Sequence, residues 1–412
     1  MSTANVYDSL KERGFVRQVT DEEAVRKAFA TTRVTAYVGF DPTASSLHVG
    51  NLLGLMALAH VQRLGHRPIA IIGDGTAMIG DPSHRTEMRK MLSREQIAAN
   101  AEQIKAQVNR YFKIDGENGF AVNNSTWLLD LKYIDVLRDV GQHFSVNRML
   151  TAEAYKIRLE TGLSFLEFNY QILQAYDFLQ LFRSHNCTLQ MGGDDQWGNI
   201  IAGTDLIRRV TGAPTEGLTW PLLTTAGGQK MGKTAKGAVW LESSKTSPYE
   251  YYQYWINVDD GDVGRFLAFF TFLPMDEIAE LGKLQGADIR RAKEVLAYEA
   301  TRITHGEEQA NKAREASRSA FGAGGQDLSG VPTTPISLSR LQKGVLIVDL
   351  FAEVGLARSR SDARRLVQGG GAYVNQKKVE TIEEQVSAAD VDTGALMLRA
   401  GKKRYHRVVV NE

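Results

Sequence analysis

The chain has 412 residues, too many for one hydrophobic core, so two or three domains are expected. Its hydrophobic content of 43% and charged content of 24% are ordinary for a globular protein, while a net charge of +1 excludes a uniformly basic surface for nucleic acid. The one cysteine, Cys187, excludes an intramolecular disulfide, and the lack of a signal-like or roughly 20-residue apolar run predicts a cytoplasmic protein that does not enter a membrane.

A strand–helix–strand unit follows an N-terminal segment that is predicted to be helical over residues 5–30. Residues 34–40 are apolar, with β-branched and aromatic side chains, and predict a strand that stops at the following Asp-Pro because proline has no amide hydrogen. From about Gly50, apolar residues recur at helical spacing as far as Gly65, and PIAIIGD then predicts a second buried strand. Right-handed parallel units of this kind bind ligands where the strand's carboxyl end meets the helix.

The N-terminus of that helix suits a phosphate group. Its exposed amides and the positive end of the helix dipole attract an anion, and Gly50 leaves room for a nucleotide. Thr43 and His48 can add hydrogen-bond donors. The alternative for the residues alone is an ordinary capped helix with a solvent-facing histidine.

A polar turn and a long helix come next, and Ser93 with Gln96 predicts a capping box at the helix start. Asp81 lies in the turn, where an Asp-Pro pair is a common turn former. Arg85 and Arg89 either face nucleotide phosphate or are solvated, and the sequence leaves these two alternatives even.

Residues 127–170 are mostly helical in pattern and unusually apolar. Five large apolar side chains lie close together in this segment: Phe144, Leu163, Phe165, Leu166 and Phe168. They form either an interface or packing within the chain.

The next predicted helix carries a polar stripe. Tyr170, Gln174 and Asp177 are spaced i, i+4 and i+7, which places them within about 60° of one another on one helix face. The flanking residues are apolar, so a buried helix has to pair these polar groups internally or with a ligand.

A second strand, turn and helix is predicted over residues 189–212. Gly192 and Gly193 let a ligand approach the backbone closely, and Asp195 suits the hydroxyls of a ribose. Arg208 and Arg209 end the helix, where cations suit the dipole.

The remainder of the chain consists of four segments that differ in composition. A glycine- and lysine-rich loop without hydrophobic periodicity covers residues 229–247, and a helical region follows over 248–321. Residues 322–342 are rich in glycine, proline, serine and threonine and predict a linker. The last segment, 343–412, predicts two short helices, a glycine turn and a hairpin; from residue 331 onward 13 lysines and arginines against 9 acidic residues give a net charge of +4. Such basic clusters either bind an RNA backbone or form a solvated surface.

Two short motifs carry a family resemblance. Leu47-His48-Val49-Gly50-Asn51 resembles the first signature of class I aminoacyl-tRNA synthetases, and Lys230-Met231-Gly232-Lys233-Thr234 resembles their second signature, in the expected order. With IGDPS, HFSVNRML, YQILQAYDF and GGDDQWGN, the chain resembles the bacterial tyrosyl-tRNA synthetases over essentially its whole length.

The resemblance implies roles for single residues. For tyrosine it implies Tyr37, Asp81, Tyr170, Gln174, Asp177 and Gln196. For ATP it implies Gly39, Asp41, Gly50, Gly193, Asp195 and Lys233. For catalysis, which here means charge stabilisation without a protein nucleophile, it implies Thr43, His48, Asn51, Lys230, Lys233 and Thr234. For tRNA, the residues implied or suggested by charge are Arg208, Arg209, Asp259, Arg364 and Arg365.

The resemblance also implies an architecture and partners. The fold is expected to be α/β, with a Rossmann-like catalytic domain built on a parallel sheet over residues 1–228, a loop over 229–247, an α-helical anticodon-binding domain over 248–321, and a small α+β RNA-binding module at 343–412. The substrates are expected to be L-tyrosine, ATP with Mg²⁺ and tRNA(Tyr). We expect a homodimer formed through residues 127–170 and no metal bound by the protein itself.

Four residues depart from the pattern of the family. Asn51 replaces a histidine, although an amide can still donate to the nucleotide; Val38 and Gly54 stand where relatives often contact the ribose. Asp194 replaces the commoner serine, and its role is open. The alternatives are a tryptophanyl-tRNA synthetase, a non-catalytic RNA-binding relative and a nucleotidyltransferase acting on a metabolite.

Overall fold

The computed structural model describes residues 5–83, 91–224, 231, 233–234, 237–321, 332–391, 394–401 and 404–411. The chain divides into two units, one of Met1–Thr246 with Trp255–Thr304 and the other of Ser247–Tyr254 with His305–Glu412. Among the helices of these described ranges, none combines the length and the apolarity that crossing a bilayer requires.

The first unit is built on a six-stranded sheet covered by helices. Its elements up to the end of the sheet are α1 (Val6–Glu12), β1 (Gln18–Val19), α2 (Glu22–Thr31), β2 (Thr35–Phe40), α3 (Leu52–Arg63), β3 (Arg67–Ile72), α4 (Arg94–Val108), β4 (Phe120–Asn123), α5 (Ser125–Leu128), α6 (Tyr133–Asp139), α7 (Val146–Leu150), α8 (Glu153–Thr161), α9 (Phe165–Phe168), α10 (Tyr170–His185), β5 (Cys187–Gly193), α11 (Trp197–Thr211) and β6 (Glu216–Trp220). The strand order is β1-β6-β5-β2-β3-β4, and all pairs are parallel except β1 with β6.

This topology confirms the predicted parallel α/β fold. The strand–helix–strand unit lies at its centre as β2, α3 and β3, with Tyr37 opposite Ile69 in parallel register. Cys187 is buried and begins β5. Apolar side chains of the sheet pack against α10 and α11, where Phe178 and Leu206 are buried.

Local sequence features fix the ends of the helices. The capping box predicted for α4 is present, because Ser93 Oγ accepts from Gln96 N at 3.2 Å and Gln96 Oε1 accepts from Ser93 N at 3.3 Å. Both orphan amides at the helix start are thereby paired.

The helix predicted over residues 5–30 is interrupted, which corrects that expectation. Gly14 takes a φ of +86° after α1, and Gln18–Val19 then form the edge strand β1, which pairs with β6. A two-residue strand is too short to show the alternation by which strands are recognised.

The helical region predicted up to Phe321 is present. Its elements, after the short hairpin strands β7 (Lys233–Thr234) and β8 (Gly237–Ala238), are α12 (Pro248–Ile256), α13 (Val263–Phe270), α14 (Met275–Gly282), α15 (Ile289–His305) and α16 (Glu307–Phe321). The boundary between the two units falls inside α12 and near the end of α15.

The second unit ends in a small α+β domain. Its elements are β9 (Thr333–Ser337), α17 (Leu338–Gln342), β10 (Val345–Leu346), α18 (Ile347–Glu353), α19 (Arg360–Gln368), β11 (Ala372–Val374), β12 (Lys377–Lys378), β13 (Gln385–Val386), β14 (Ala395–Ala400) and β15 (Arg404–Asn411). The strands of its main sheet run in the order β12-β11-β14-β15-β9. The two helices, glycine turn and hairpin predicted from the sequence are α18, α19, residues 369–371 and β11–β12.

The linker predicted at 322–342 is wrong for residues 333–342. Residues 333–337 form β9, which pairs in parallel with β15, and α17 follows directly. Ile336 is buried in the core of this domain, and Pro335 is tolerated because β9 is an edge strand. A composition of threonine, proline and serine concealed this strand, and residues 322–331 lie outside the described part.

Candidate active site

A cavity of about 670 Å³ opens at the carboxyl ends of the parallel strands, between β2, β3, β5 and the start of α3. It brings together every residue that the sequence assigned to tyrosine, and every one assigned to ATP or catalysis before residue 224. These are Tyr37, Gly39, Asp41, Thr43, His48, Gly50, Asn51, Asp81, Tyr170, Gln174, Asp177, Gly193, Asp195 and Gln196. The roles of the individual residues stay predictions.

One end of the cavity holds two buried oxygen-bearing groups. The Tyr37 side chain is 2% exposed, and its hydroxyl has no hydrogen-bond partner among the described residues. Burial, followed by the nearby Asp177 carboxylate, raises the pKa of Tyr37 well above its ordinary value. A buried hydroxyl without a partner is costly, so this end of the cavity is arranged for a polar ligand atom.

Asp177 is held by two side chains that the sequence analysis missed. Trp127 Nε1 donates to Asp177 Oδ1 at 2.7 Å, and Asn124 Nδ2 donates to Oδ2 at 2.9 Å. Burial raises the pKa of the Asp177 carboxyl group to about 7, although both hydrogen bonds favour its ionised form. Gln190, also missed, lines the cavity with a buried Oε1 that lacks a partner in the described ranges.

The polar stripe of α10 faces the middle of the cavity, as its spacing predicts. Tyr170 donates its hydroxyl to Asp41 Oδ2 at 3.1 Å, and Gln174 Oε1 accepts from Asn199 Nδ2 at 3.2 Å. Asp41 also accepts from Thr76 Oγ1 at 2.8 Å. The stripe is therefore joined to the end of β2 by a polar network.

Asp81 and Gln196 meet across the cavity. Gln196 Nε2 donates to Asp81 Oδ2 at 2.9 Å, while Asp81 Oδ1 accepts from Ser83 N at 2.9 Å. The turn contact of Asp81 and its contact with Gln196 thus use different oxygens. A carboxylate beside an amide can bind a substrate ammonium group.

His48 caps the 3₁₀ turn Val49–Asn51, which leads directly into α3. Its Nδ1 accepts from Gly50 N at 3.0 Å, and its own backbone N donates to Asn51 Oδ1 at 3.1 Å. In the neutral imidazole the proton is therefore on Nε2, which makes this nitrogen a donor. A Cβ at Gly50 would collide with the His48 ring, so this contact requires glycine.

Two of the residues that depart from the family pattern belong to the cavity lining. Val38 and Gly54 both line the cavity, and a Cβ at Gly54 would come within 3.2 Å of Val38 Cγ1. The valine at position 38 therefore favours glycine at position 54. A Cβ on Gly193 would overlap the carboxylate of Asp195.

Asp194, whose role the sequence left open, does not belong to the cavity lining. Its Oδ1 accepts from Gln18 Nε2 at 2.6 Å and from Thr219 Oγ1 at 3.1 Å. It thereby ties the turn after β5 to β1 and β6, which is a structural role.

The lysine-rich signature is only partly described. Met231 N donates to Leu223 O at 2.9 Å, and Lys233 and Thr234 form β7 opposite Gly237–Ala238. Lys230, Arg85 and Arg89 lie outside the described residues, as do the side chains of Lys233 and Thr234.

Comparison with known proteins identifies the family. Residues 30–322 match the family described as tRNA synthetases class I (W and Y), and residues 325–408 match the tyrosine–tRNA ligase SYY-like C-terminal domain. The tyrosine–tRNA ligase of Desulfosudis oleivorans is 53% identical over 430 residues, covering 99% of each chain. That of Caldanaerobacter subterraneus is 52% identical over 408 residues, covering 99% of this chain and 100% of the relative. The chain belongs to the tyrosine–tRNA ligases.

Solved structures agree with this assignment. A C-terminally truncated mitochondrial tyrosyl-tRNA synthetase of Aspergillus nidulans is 30% identical with a TM-score of 0.69, covering 76% of this chain and 93% of that one. A tyrosyl-tRNA synthetase of Archaeoglobus fulgidus, 19% identical with a TM-score of 0.57, covers 75% of this chain and 99% of that one and shows the shared fold.

As a tyrosine–tRNA ligase (EC 6.1.1.1), the chain uses ATP, and tyrosine and tRNA(Tyr) are the other substrates that its family implies. The tryptophanyl alternative is excluded, because the full-length relatives and the C-terminal domain are both of the tyrosine type. The alternatives without ligase activity are excluded by the same findings.

The residues predicted to bind tRNA are exposed and lie outside the cavity of this tyrosine–tRNA ligase. Arg208 pairs with Asp205 at 3.1 Å, and Arg209 donates to His143 O at 2.7 Å in the last turn of α11. Asp259 is exposed after α12. In the second unit Arg364 and Arg365 are exposed on α19.

Proposed function

We propose that the chain activates L-tyrosine with ATP in this cavity, forming tyrosyl-adenylate and pyrophosphate, and then transfers tyrosine to the 3′ end of tRNA(Tyr). The observation that carries the residue assignments is the buried hydroxyl of Tyr37, which lies near the carboxylate of Asp177 and has no hydrogen-bond partner among the described residues. A phenol hydroxyl fits between them, as a donor to Asp177 and an acceptor from Tyr37.

The amino-acid backbone of tyrosine is assigned to the middle of the cavity. Asp81, Tyr170 and Gln174 surround its ammonium group, and Gln196 lies near its carboxylate. Asp177 and Asp81 thus mark opposite ends of the bound amino acid.

The chemistry needs alignment more than acid–base catalysis. The carboxylate of tyrosine is ionised at neutral pH, so it attacks the α-phosphorus directly, and the bond between this phosphorus and the bridging oxygen of pyrophosphate breaks. In the second step the terminal ribose hydroxyl of tRNA attacks the tyrosyl carbonyl and AMP leaves. Catalysis then consists of orienting the reactants and stabilising charge on the leaving group.

We assign the stabilisation of the charge on the leaving pyrophosphate to four side chains. Thr43 and His48 line the cavity, and Nε2 of His48 is a donor because Nδ1 accepts from Gly50 N. Lys230 and Lys233 complete the four and are assigned from the second signature motif. Asn51 and Thr234 are the two further catalytic residues that the resemblance implies. ATP is bound along Gly39, Asp41, Gly50, Gly193 and Asp195.

We further propose that Mg²⁺ arrives with the phosphates of ATP, where it neutralises charge during the reaction. Mg²⁺ is commonly held by substrate phosphates with few protein ligands. In the described part of the chain no three His, Cys, Asp or Glu side chains gather around one point.

The tRNA is assigned to exposed basic and acidic side chains of both units: Arg208, Arg209, Asp259, Arg364 and Arg365. The division into a catalytic domain, a lysine-rich loop, an anticodon-binding helical domain and a C-terminal RNA-binding module stays part of this proposal, as does a cytoplasmic location.

We also propose that the chain is a homodimer. Between residues 129 and 165 the side chains of Tyr133, Ile134, Val146 and Phe165 are 64%, 68%, 56% and 69% exposed. Large apolar side chains left exposed at several positions of one segment favour an interface, and a two-fold dimer uses one patch twice. Phe165→Asp should lower the molar mass measured by light scattering to that of one chain, whereas an unchanged mass would place the interface elsewhere.

Amino-acid-dependent ATP–pyrophosphate exchange tests the function. Across the twenty amino acids, exchange should be strong with tyrosine alone and should need no tRNA, because the assigned tyrosine and ATP groups all precede residue 235. An absolute requirement for tRNA would contradict the residue assignments.

A further inference from the structure

His48 belongs to a short ladder that joins two distant segments of the first unit. Val49 N donates to Val239 O at 2.9 Å, and Leu241 N donates to Leu47 O at 2.9 Å, with His48 opposite Trp240. The rings of His48 and Trp240 meet edge to face at 6.1 Å. The first signature motif is therefore attached to the segment that follows the second one.

Two backbone hydrogen bonds cannot hold such a ladder alone, since isolated two-stranded pairs are marginal in water. Both segments line the cavity through Leu47, His48, Ala238 and Trp240. Their relative position therefore decides where the donor of His48 lies, and this position has to be fixed from outside the ladder.

Gln107 of α4 supplies the connection on one side. It is 1% exposed, and its Oε1 accepts from Leu47 N at 3.0 Å and from Ser46 Oγ at 3.4 Å. Its Nε2 donates to Glu242 Oε2 at 3.4 Å. One buried amide thus contacts both strands of the ladder.

Arg110, which lies just after the end of α4, completes the contact. Its Nη2 donates to Glu242 Oε2 at 3.1 Å, and its Nη1 donates to Leu241 O at 3.4 Å. Although burial opposes ionisation of Glu242, Arg110 and Ser243 hold the pKa of its carboxyl group below the ordinary value. Glu242 is therefore charged at neutral pH and keeps this attachment.

We propose that Gln107 is a positioning residue for adenylate formation, which it supports with Arg110 and Glu242 by fixing the ladder that holds His48. Gln107 does not line the cavity and touches no substrate; it acts through Leu47 and His48. The proposal rests on the charge-stabilising role assigned to His48 above.

The substitution Gln107→Met tests the proposal, because methionine keeps the volume of glutamine and removes its hydrogen bonds. Displacement of a catalytic group by about 1 Å can cost on the order of 10²-fold in rate. We expect kcat for tyrosine-dependent pyrophosphate exchange, counted per active site, to fall about tenfold to hundredfold. The Kd of tyrosine should stay within about twofold, because Tyr37 and Asp177 are not attached to the ladder.

Gln62→Met is the matched control. Gln62 also pairs its amide with backbone groups, donating to Lys113 O at 2.8 Å and accepting from Lys113 N at 2.8 Å, but it does not line the cavity. A comparable loss of thermal stability with an unchanged kcat is expected. A purely structural role for Gln107 would make the two variants alike, and that result would overturn the proposal.

A double-mutant cycle separates this proposal from the one on which it rests. His48→Asn keeps a capping acceptor and withdraws the donor from the position of Nε2, because the asparagine amide is shorter than the imidazole ring. If Gln107 acts through His48, Gln107→Met should cost little further rate in the His48→Asn background. Additive losses would overturn the positioning role while leaving His48 in place. If His48→Asn leaves kcat unchanged, the role of His48 itself is wrong.

Glu242→Gln gives the same test should Gln107→Met fail to fold. Glu242 is partly exposed, and the substitution removes the charge that Arg110 contacts while keeping the shape of the side chain. We expect a smaller fall in kcat that likewise disappears in the His48→Asn background. A fall that persists there would overturn the proposal.

Discussion

At the scale of single residues, the unpaired hydroxyl of Tyr37 should carry much of the discrimination against phenylalanine. An amino acid without the phenol hydroxyl leaves buried polar groups unpaired, and such discrimination reaches about 10⁵-fold, a value that itself comes from this class of enzyme. Leaving a buried polar group unpaired costs about 1–3 kcal/mol. Tyr37→Phe removes one such group, so this part of the penalty against phenylalanine should be lost. The ratio of kcat/KM for tyrosine over phenylalanine should therefore narrow by about tenfold to hundredfold.

A second tyrosine provides the control for this prediction. Tyr176 lies on the same helix as Asp177, but its hydroxyl accepts from Gln180 Nε2 at 3.1 Å and does not line the cavity. Tyr176→Phe should leave the ratio unchanged. An equal ratio in the wild type and in Tyr37→Phe would place the phenol of the substrate elsewhere.

The raised pKa of Asp177 predicts a pH dependence of tyrosine binding. With a pKa of about 7 in the free protein, the carboxyl group is ionised above that pH and protonated below it. A phenol donor needs the ionised form, so affinity should fall as the pH falls through 7, by about tenfold between pH 8 and pH 6.

Titration calorimetry of tyrosine at several pH values between 6 and 8 measures this directly. The variant Asp177→Asn has no group that ionises there, so its weaker binding should be flat with pH. A wild-type Kd that is constant over this range would contradict the assignment of the titrating group to tyrosine recognition.

At the scale of secondary-structure elements, Asp194 should stabilise the attachment of β1 to the sheet. Its Oδ1 accepts from Gln18 and Thr219, and each such hydrogen bond contributes about 0.5–1.5 kcal/mol. Asp194→Ala should therefore lower the free energy of unfolding by about 1–2 kcal/mol, as measured by urea denaturation.

The control for Asp194 is a carboxylate on the surface. Asp8 pairs with Arg26 at 2.8 Å with its side chain 53% exposed, and exposed pairs contribute about 0–1 kcal/mol. Asp8→Ala should have the smaller effect of the two. If Asp194→Ala is equally mild, the contacts to Gln18 and Thr219 do not hold β1.

Elements with a regular pattern could be predicted from the sequence, and contacts that depend on tertiary structure could not. The stripe of Tyr170, Gln174 and Asp177 follows from helical spacing, and it faces the cavity. Asn124 and Trp127 escaped notice because each is one polar group in an ordinary segment, and only the position of β4 beside β3 brings them to Asp177.

The same distinction explains why the strand β9 and the position of Gln107 could not be predicted. β9 was mistaken for a linker because its partner β15 lies about 70 residues later in the chain, and a proline is compatible with an edge strand. Nothing in the sequence indicates that Gln107 lies between Leu47 and Glu242, because a glutamine in a long helix is ordinarily solvated.

At the scale of the whole molecule, the near-neutral net charge conceals a basic C-terminal segment. The exposed arginines of α19 should bind the phosphate backbone of tRNA, and such contacts weaken as salt rises, by about 0.9 units of log K per unit of log salt for each phosphate. Replacement of Arg364 and Arg365 together by glutamine should weaken tRNA binding and reduce this slope by about 1–2 units.

Tyrosine-dependent pyrophosphate exchange should remain close to the wild-type rate in this variant, because neither arginine lines the cavity. Lys11 and Arg26, replaced together by glutamine, match the change in charge at exposed positions of α1 and α2 that we assign no contact with RNA. They should leave both tRNA affinity and the slope unchanged. If the two double variants bind tRNA equally well at every salt concentration, α19 is a solvated basic surface and the tRNA contacts of this module lie elsewhere.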